Sequence, residues 1–281
     1  MKFAGVVLMV LGFFGQVLTL SAKVRVERDV DYTSATGDVR RQLNIYHKTN
    51  VDTAQDVIIF IHGGSWSSGK KETYWWLGRN LARKGFVTAV INYGLAPDDN
   101  YEQMGADCAA AVSWVADHIA AYGGNPDRIF LMGHSAGAHL AELINSDPKY
   151  LKAAGVNRAL RGLILNDPFG LDMHEYLSTA EKDADYYNFL RTFSDNPSVW
   201  TKGSPMNYLS NVHNPHLIFY GAKTYPAIQM QSERINKLLL AGKTSSELHV
   251  IGGKKHVGMI SQMIFGCNKL YKYIEDFARR N

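Results

Sequence analysis

The tightest constraint in this chain is the run Gly133-His134-Ser135-Ala136-Gly137. It follows an apolar stretch at 128–132 and leads straight into a helix-forming segment at 138–144, so it reads as strand, sharp turn, helix. Glycine at both ends lets the chain bend tightly enough to lift the central side chain above a sheet, in a backbone geometry that bulkier neighbours would block. That side chain is a serine hydroxyl. It is a weak nucleophile unless a base and donors for a developing oxyanion stand nearby. The string alone also occurs as a plain glycine-rich loop, and the strand and helix around it separate the two readings.

Upstream, 23–30 and 42–47 alternate polar and apolar residues, as two amphipathic strands joined by a turn would, giving an antiparallel start. Residues 56–61 are instead a continuous apolar run, the pattern of a strand covered on both faces, and a parallel sheet is expected to begin there. The run ends in His62-Gly63-Gly64-Ser65-Trp66, whose consecutive glycines allow backbone amides to point into a shared pocket. Gly63 and Gly64 are therefore the expected oxyanion donors, with the amide of Ala136 completing the set. Helical spacing over 72–84, a buried strand at 86–92 and a long helix over 101–122 lead to the strand before Ser135. Further strands are expected at 163–166, 216–220 and 247–251, and helices at 227–240 and 259–278. This alternation predicts an α/β fold, a mostly parallel twisted sheet with helices on both faces. Residues 169–204 break the alternation and are rich in aromatics; they are expected to form a cap-like insertion over the site, with a pair of surface helices as the plainer alternative.

Over 56–277, and most specifically at 62–66 and 133–137, the chain resembles an α/β-hydrolase of the esterase and lipase type with an HGG-x-W oxyanion motif. That group includes acetyl esterases, feruloyl-esterase-like enzymes and kynurenine formamidase. The resemblance implies that Ser135 attacks a carbonyl, that a histidine near the C-terminus is the base, and that a carboxylate orients the histidine. His256, in the glycine-bearing loop after the last expected strand and before the terminal helix, is the candidate base. His62 is expected to shape the oxyanion turn and His134 to pack beside the elbow; His118, His139, His174, His213 and His249 read as structural or surface residues. No two histidines stand at metal-ligand spacing with a carboxylate, so neither a metal nor another cofactor is expected.

The pattern departs from the family at the acid. There it follows the penultimate strand, but here that loop, 221–226, holds no carboxylate and Thr224 falls about where the aspartate belongs. Glu233 lies inside an expected helix and Glu247 at a strand start, neither placed to meet an imidazole. Asp167 lies just past the strand after the elbow, on the side of the sheet where strand C-termini share one crevice. It is the expected acid, aimed by Pro168, with Asp172 as the alternative and a merely structural Asp-Pro turn as a third reading. The expected activity is hydrolysis of a small, short-chain (acetyl-type) carboxylic ester through an acyl-enzyme. Amide or peptide hydrolysis on the same machinery, and a binding protein that has lost activity, are the alternatives.

Residues 1–22 place Lys2 before an apolar stretch and the small pair Ser21-Ala22, the order of a secretory signal peptide. A secreted or periplasmic protein without stable membrane association follows, with an uncleaved membrane anchor as the rival. Residues 23–281 then read as one domain, since no linker or repeat divides them. The 30 basic and 26 acidic residues are scattered, for a net charge of +4, and nothing points to nucleic acid. Nothing in the pattern sets an oligomeric state. Cys108 and Cys267 fall in separate expected helices covering opposite faces of the sheet and are expected as two free, packed thiols.

Overall fold

The computed structural model describes residues 23–34 and 37–281, so the expected leader at 1–22 lies outside the described residues. Its centre is one eight-stranded sheet. The strands are β1 (Val24–Asp31), β2 (Gln42–Lys48), β3 (Gln55–Ile61), β4 (Val87–Ile91), β5 (Gly124–His134), β6 (Gly162–Asn166), β7 (His216–Gly221) and β8 (Ser246–Ile251). They lie in the order β1-β2-β4-β3-β5-β6-β7-β8. β1 pairs antiparallel with β2 and β2 with β4; every later pairing is parallel. The antiparallel start and the parallel body are those expected from the two kinds of apolar pattern.

The continuous apolar run in β3 has a direct cause. Val57, Ile59 and Ile61 face one core while Ile58 and Phe60 face the other, so both sides of the strand are covered and no position is left for a polar residue. α1 (Trp75–Arg83) packs on the second face through Leu77 and Leu81. The first face is covered by α2 (Tyr101–His118), α3 (Ala136–Ser146) and the short α4 (Lys149–Ala153). α2 begins in a capping box, in which Asn100 and Gln103 bond each other's backbone amides, and it closes in a 3-10 turn before Gly123. Between β6 and β7 lie α5 (Met173–Thr179), α6 (Ala184–Phe193) and α7 (Pro197–Lys202), the segment that broke the alternation. α8 (Pro226–Ala241) returns to the first face.

The single expected helix over 259–278 is corrected: it is two helices, α9 (His256–Ser261) and α10 (Lys269–Arg280), both on the second face. The Asn80 side-chain amide, reaching over from α1, donates to the carbonyls of Met263 (3.2 Å) and Ile264 (3.0 Å), which satisfies the chain where the first helix stops. Asn268 then caps the second helix, accepting from the amide of Leu270 at 3.0 Å. Cys267 therefore sits in an exposed turn and not in a helix, while Cys108 is buried in α2; both are free. Among the described residues no helix is long and apolar enough to cross a membrane.

Steric closeness fixes the elbow between β5 and α3. A Cβ on Gly137 would lie 2.1 Å from the carbonyl oxygen of Ile61, and one on Gly133 would lie 2.3 Å from that of Gly137. Both obstacles are backbone, so neither can swing aside. Gly137→Ala is expected to lower stability by about 3 kcal/mol, read as a shift in urea midpoint, whereas Gly252→Ala, with nothing within 4 Å, is expected to change it little.

Candidate active site

Ser135 closes β5 and opens α3 at φ 56° and ψ −125°, a strained conformation for a residue with a side chain. Its amide is held by the carbonyl of Asn166 at 3.2 Å, and its own carbonyl accepts from Ala138 and His139 in the first turn of α3. The hydroxyl oxygen is 2.8 Å from His256 Nε2, and His256 Nδ1 is 2.6 Å from Asp167 Oδ2. His256 is the first residue of α9, so helical backbone and not a free loop sets the direction of its ring.

Asp167 is completely buried and sits at φ 52° just beyond β6. Its amide donates to the carbonyl of Phe219 at 2.7 Å, which ties the turn to β7. Its carboxylate is fully engaged: Oδ1 accepts from the amide of Gly221 at 2.8 Å, and Oδ2 accepts from the hydroxyl of Thr224 at 2.5 Å as well as facing His256. Thr224, where the family pattern has a carboxylate, thus reaches across as a donor to the carboxylate of the neighbouring strand. No sequence signal announced that bond beyond the hydroxyl's position. Asp172 is placed elsewhere. It caps α5, accepting from the amide of Glu175 at 2.9 Å, and lies 3.7 Å from Arg234.

The turn after β3 packs directly on the elbow. A Cβ on Gly63 would stand 2.8 Å from the carbonyl oxygen of His134 and 3.2 Å from Ser135 Cβ. Gly64 (φ 134°), Ser65 (φ 53°) and Trp66 (φ 57°) then run in left-handed conformations that coil the backbone beside Ser135. Neither the Gly64 amide nor the Ala136 amide has an acceptor among the described residues. Trp66 is wholly buried, and its indole N–H donates to His139 Nδ1 at 3.3 Å; His139 Nε2 in turn donates to the carbonyl of Gly203 at 2.7 Å. A cavity of about 660 Å³ opens in front of Ser135 and His256, lined by residues of α5, α6 and the start of α8. Of its lining, the position of Tyr225, in the loop that lacks the carboxylate, was not foreseen from sequence.

The model of the BD-FAE family matches residues 43–239, well over half of the chain. The chain belongs to the BD-FAE family. Among proteins similar to this BD-FAE member is isoprenylcysteine alpha-carbonyl methylesterase ICME of Arabidopsis thaliana, 29% identical over 274 residues that cover 91% of this chain and 62% of that protein. Esterase LipQ of Mycobacterium tuberculosis is 29% identical over 207 residues, 65% of this chain and 45% of that protein. The chain thus spans about half to three-fifths of the length of these relatives. Esterase B of Lactobacillus rhamnosis shares the α/β-hydrolase fold at a TM-score of 0.73 and 20% identity, covering 92% of this chain and 87% of that one.

Three buried histidines surround the site of this BD-FAE member. Burial lowers His62 to about 4 and His139 to about 4; burial, with the neighbouring His256 next, lowers His134 to about 3. His62 lies under the turn after β3, stacked on Tyr93 at 4.5 Å, and His134 stacks on His256 at 4.9 Å. All three have folded values below the ordinary 6.5, so above pH 6.5 they are neutral in both states and leave stability unchanged. As pH falls from 6.5 toward 4 the unfolded chain takes up protons that the folded chain refuses, and stability drops. At pH 5 the loss is expected to be about 2 kcal/mol per histidine, seen as a lower urea midpoint than at pH 7.5. An unchanged midpoint would refute this account.

Proposed function

We propose that the protein is a carboxylic ester hydrolase that works through an acyl-enzyme, and that it acts on a small, acetyl-type ester. The observation that carries the reading is the unbroken chain of contacts from the Ser135 hydroxyl through His256 to Asp167. The esterase names of the relatives agree with it. In this mechanism His256 keeps its Nδ1 proton in a hydrogen bond donated to Asp167 and accepts the Ser135 hydroxyl proton at Nε2. Ser135 Oγ attacks the ester carbonyl as that proton moves to His256. The amides of Gly63, Gly64 and Ala136 receive the oxyanion; the closeness of Gly63 to Ser135, and the start of α3 at Ala136 with its positive dipole end, support that role. His256 returns the proton to the departing alcohol, then takes one from the water that attacks the acyl group and passes it to Ser135 Oγ as the acyl–Oγ bond breaks and the acid leaves. Asp167, held by Gly221 and Thr224, keeps the imidazole in the required tautomer and balances its charge in the transition state.

A fluorophosphonate probe is expected to label Ser135 in the wild type and not in Ser135→Ala; absence of labelling would favour a protein that only binds. With 4-nitrophenyl acetate, Ser135→Ala and His256→Ala are expected to lose several orders of magnitude in kcat, and the acetate to be turned over faster than the octanoate. Asp167→Asn is expected to lose up to about ten-thousandfold in kcat with KM little altered, while Asp172→Asn stays near wild type. Thr224→Val, which removes one donor to the carboxylate, is expected to lose about tenfold.

Export with removal of 1–22 belongs to the same proposal, on the order of charged, apolar and small residues there. The intact mass of the exported protein is expected to lack that segment. Retention of Met1 would point to an anchor instead.

A further inference from the structure

The cavity in front of Ser135 has an uneven lining. Four aromatic rings, Phe169, Tyr176, Phe189 and Tyr225, share it with two carboxylates, Glu181 and Asp185, and no lysine or arginine is among its lining residues. The rings form a connected box, with centroids 4.9 Å apart for Phe169 and Tyr176, 5.3 Å for Phe169 and Phe189, 5.8 Å for Tyr176 and Phe189, and 6.5 Å for Phe169 and Tyr225.

Neither carboxylate makes a side-chain hydrogen bond among the described residues, although Asp185 stands in the first turn of α6, where a negative charge suits the helix dipole. Asp183 already caps α6, accepting from the amide of Tyr186 at 2.9 Å. Glu175, on α5, is held by Arg234 at 2.6 Å, whereas Glu181 and Asp185 have no ion-pair partner among the described residues. Of the two, Asp185 acts on the box: the Tyr176 phenol is raised above its ordinary value, first by burial, then by Asp183 and then by Asp185.

The box also has a defined place in the reaction. The Tyr225 ring lies 5.3 Å from His256, whose Nε2 faces Ser135. In the proposed mechanism that nitrogen returns a proton to the departing alcohol, so Tyr225 stands on the leaving-group side, and the other rings join it through Phe169.

We propose that the alcohol half of the substrate is cationic, an ester of an amino or quaternary-ammonium alcohol, held against the rings of Tyr176, Tyr225 and Phe169 and drawn in by Glu181 and Asp185. This rests on the ester-hydrolase reading above. Ring faces carry partial negative charge and attract a cation that sheds its water. A neutral apolar alcohol would use the rings and gain nothing from the carboxylates, and an anionic one would be repelled by them. A sugar alcohol would use both rings and carboxylates, through stacking and hydrogen bonds, but without any dependence on a positive charge.

The test compares acetylthiocholine with 3,3-dimethylbutyl thioacetate, which has nearly the same shape with carbon in place of the charged nitrogen, by following thiol release. The wild type is expected to favour the cation by about tenfold in kcat/KM at low ionic strength, and the ratio to shrink as salt is added. In Glu181→Gln/Asp185→Asn the ratio is expected to fall toward one. A wild-type ratio at or below one overturns the proposal and leaves the esterase reading standing, as does a ratio the double variant does not move. Hydrolysis of neither thioester by a protein whose Ser135 is labelled also overturns it. Failure of Ser135 to react with the fluorophosphonate is a different result and removes the esterase reading beneath it.

Discussion

The site depends on backbone meeting backbone at the ends of β3 and β5. Gly137 lies so close to the carbonyl of Ile61, and Gly63 so close to Ser135, that no side chain fits at either glycine. Because β3 and β5 are neighbours in the sheet, their two turns leave side by side at the same edge. The positive φ of Ser135 is tolerated because the elbow is pinned on both sides, by the hydrogen bond its N–H donates to the Asn166 carbonyl and by the first turn of α3. Parallel pairing to β6, β7 and β8 then brings Asp167, Thr224 and His256 to that edge in turn.

Electrostatically, the arrangement surrounds the buried Asp167 with donors, while burial lowers His62, His134 and His139 around the site. Asp167 is stabilised by an amide, a hydroxyl and the proposed base, three donors around a group that burial would otherwise make costly to ionise. His134 stacks on His256, and a charge there would oppose the imidazolium that forms as Ser135 loses its proton. Burial, and next the neighbouring His256, lowers His134 to about 3, which keeps it uncharged near neutral pH.

Much of this was legible from local pattern. The apolar run of β3, the glycine turns and the elbow context locate Ser135 and the glycine turn beside it, and the rule that strand C-termini share a crevice selects Asp167 over Asp172 as the neighbour of His256. What stayed hidden depends on partners distant in sequence. The break between α9 and α10 is set by Asn80, which lies far upstream on α1. Glu142 and His216, wholly buried and 2.8 Å apart, join α3 to β7, and nothing near either residue announces the other. The strand order, with β4 between β2 and β3, is likewise invisible to periodicity, since any order buries the same residues.

With its carboxylate on β6, the chain asks little of the loop at 221–226: one amide, from Gly221, and one hydroxyl, from Thr224. In the family pattern that carries the acid there, the loop cannot drift without moving a charge. Here the neighbouring Tyr225 and Pro226 face the cavity and carry no part of the proton path. Within that loop the two residues that hold Asp167 and the two that face the cavity are therefore different ones. A substitution at Tyr225 or Pro226 can therefore reshape the cavity wall while leaving both donors to Asp167 in place.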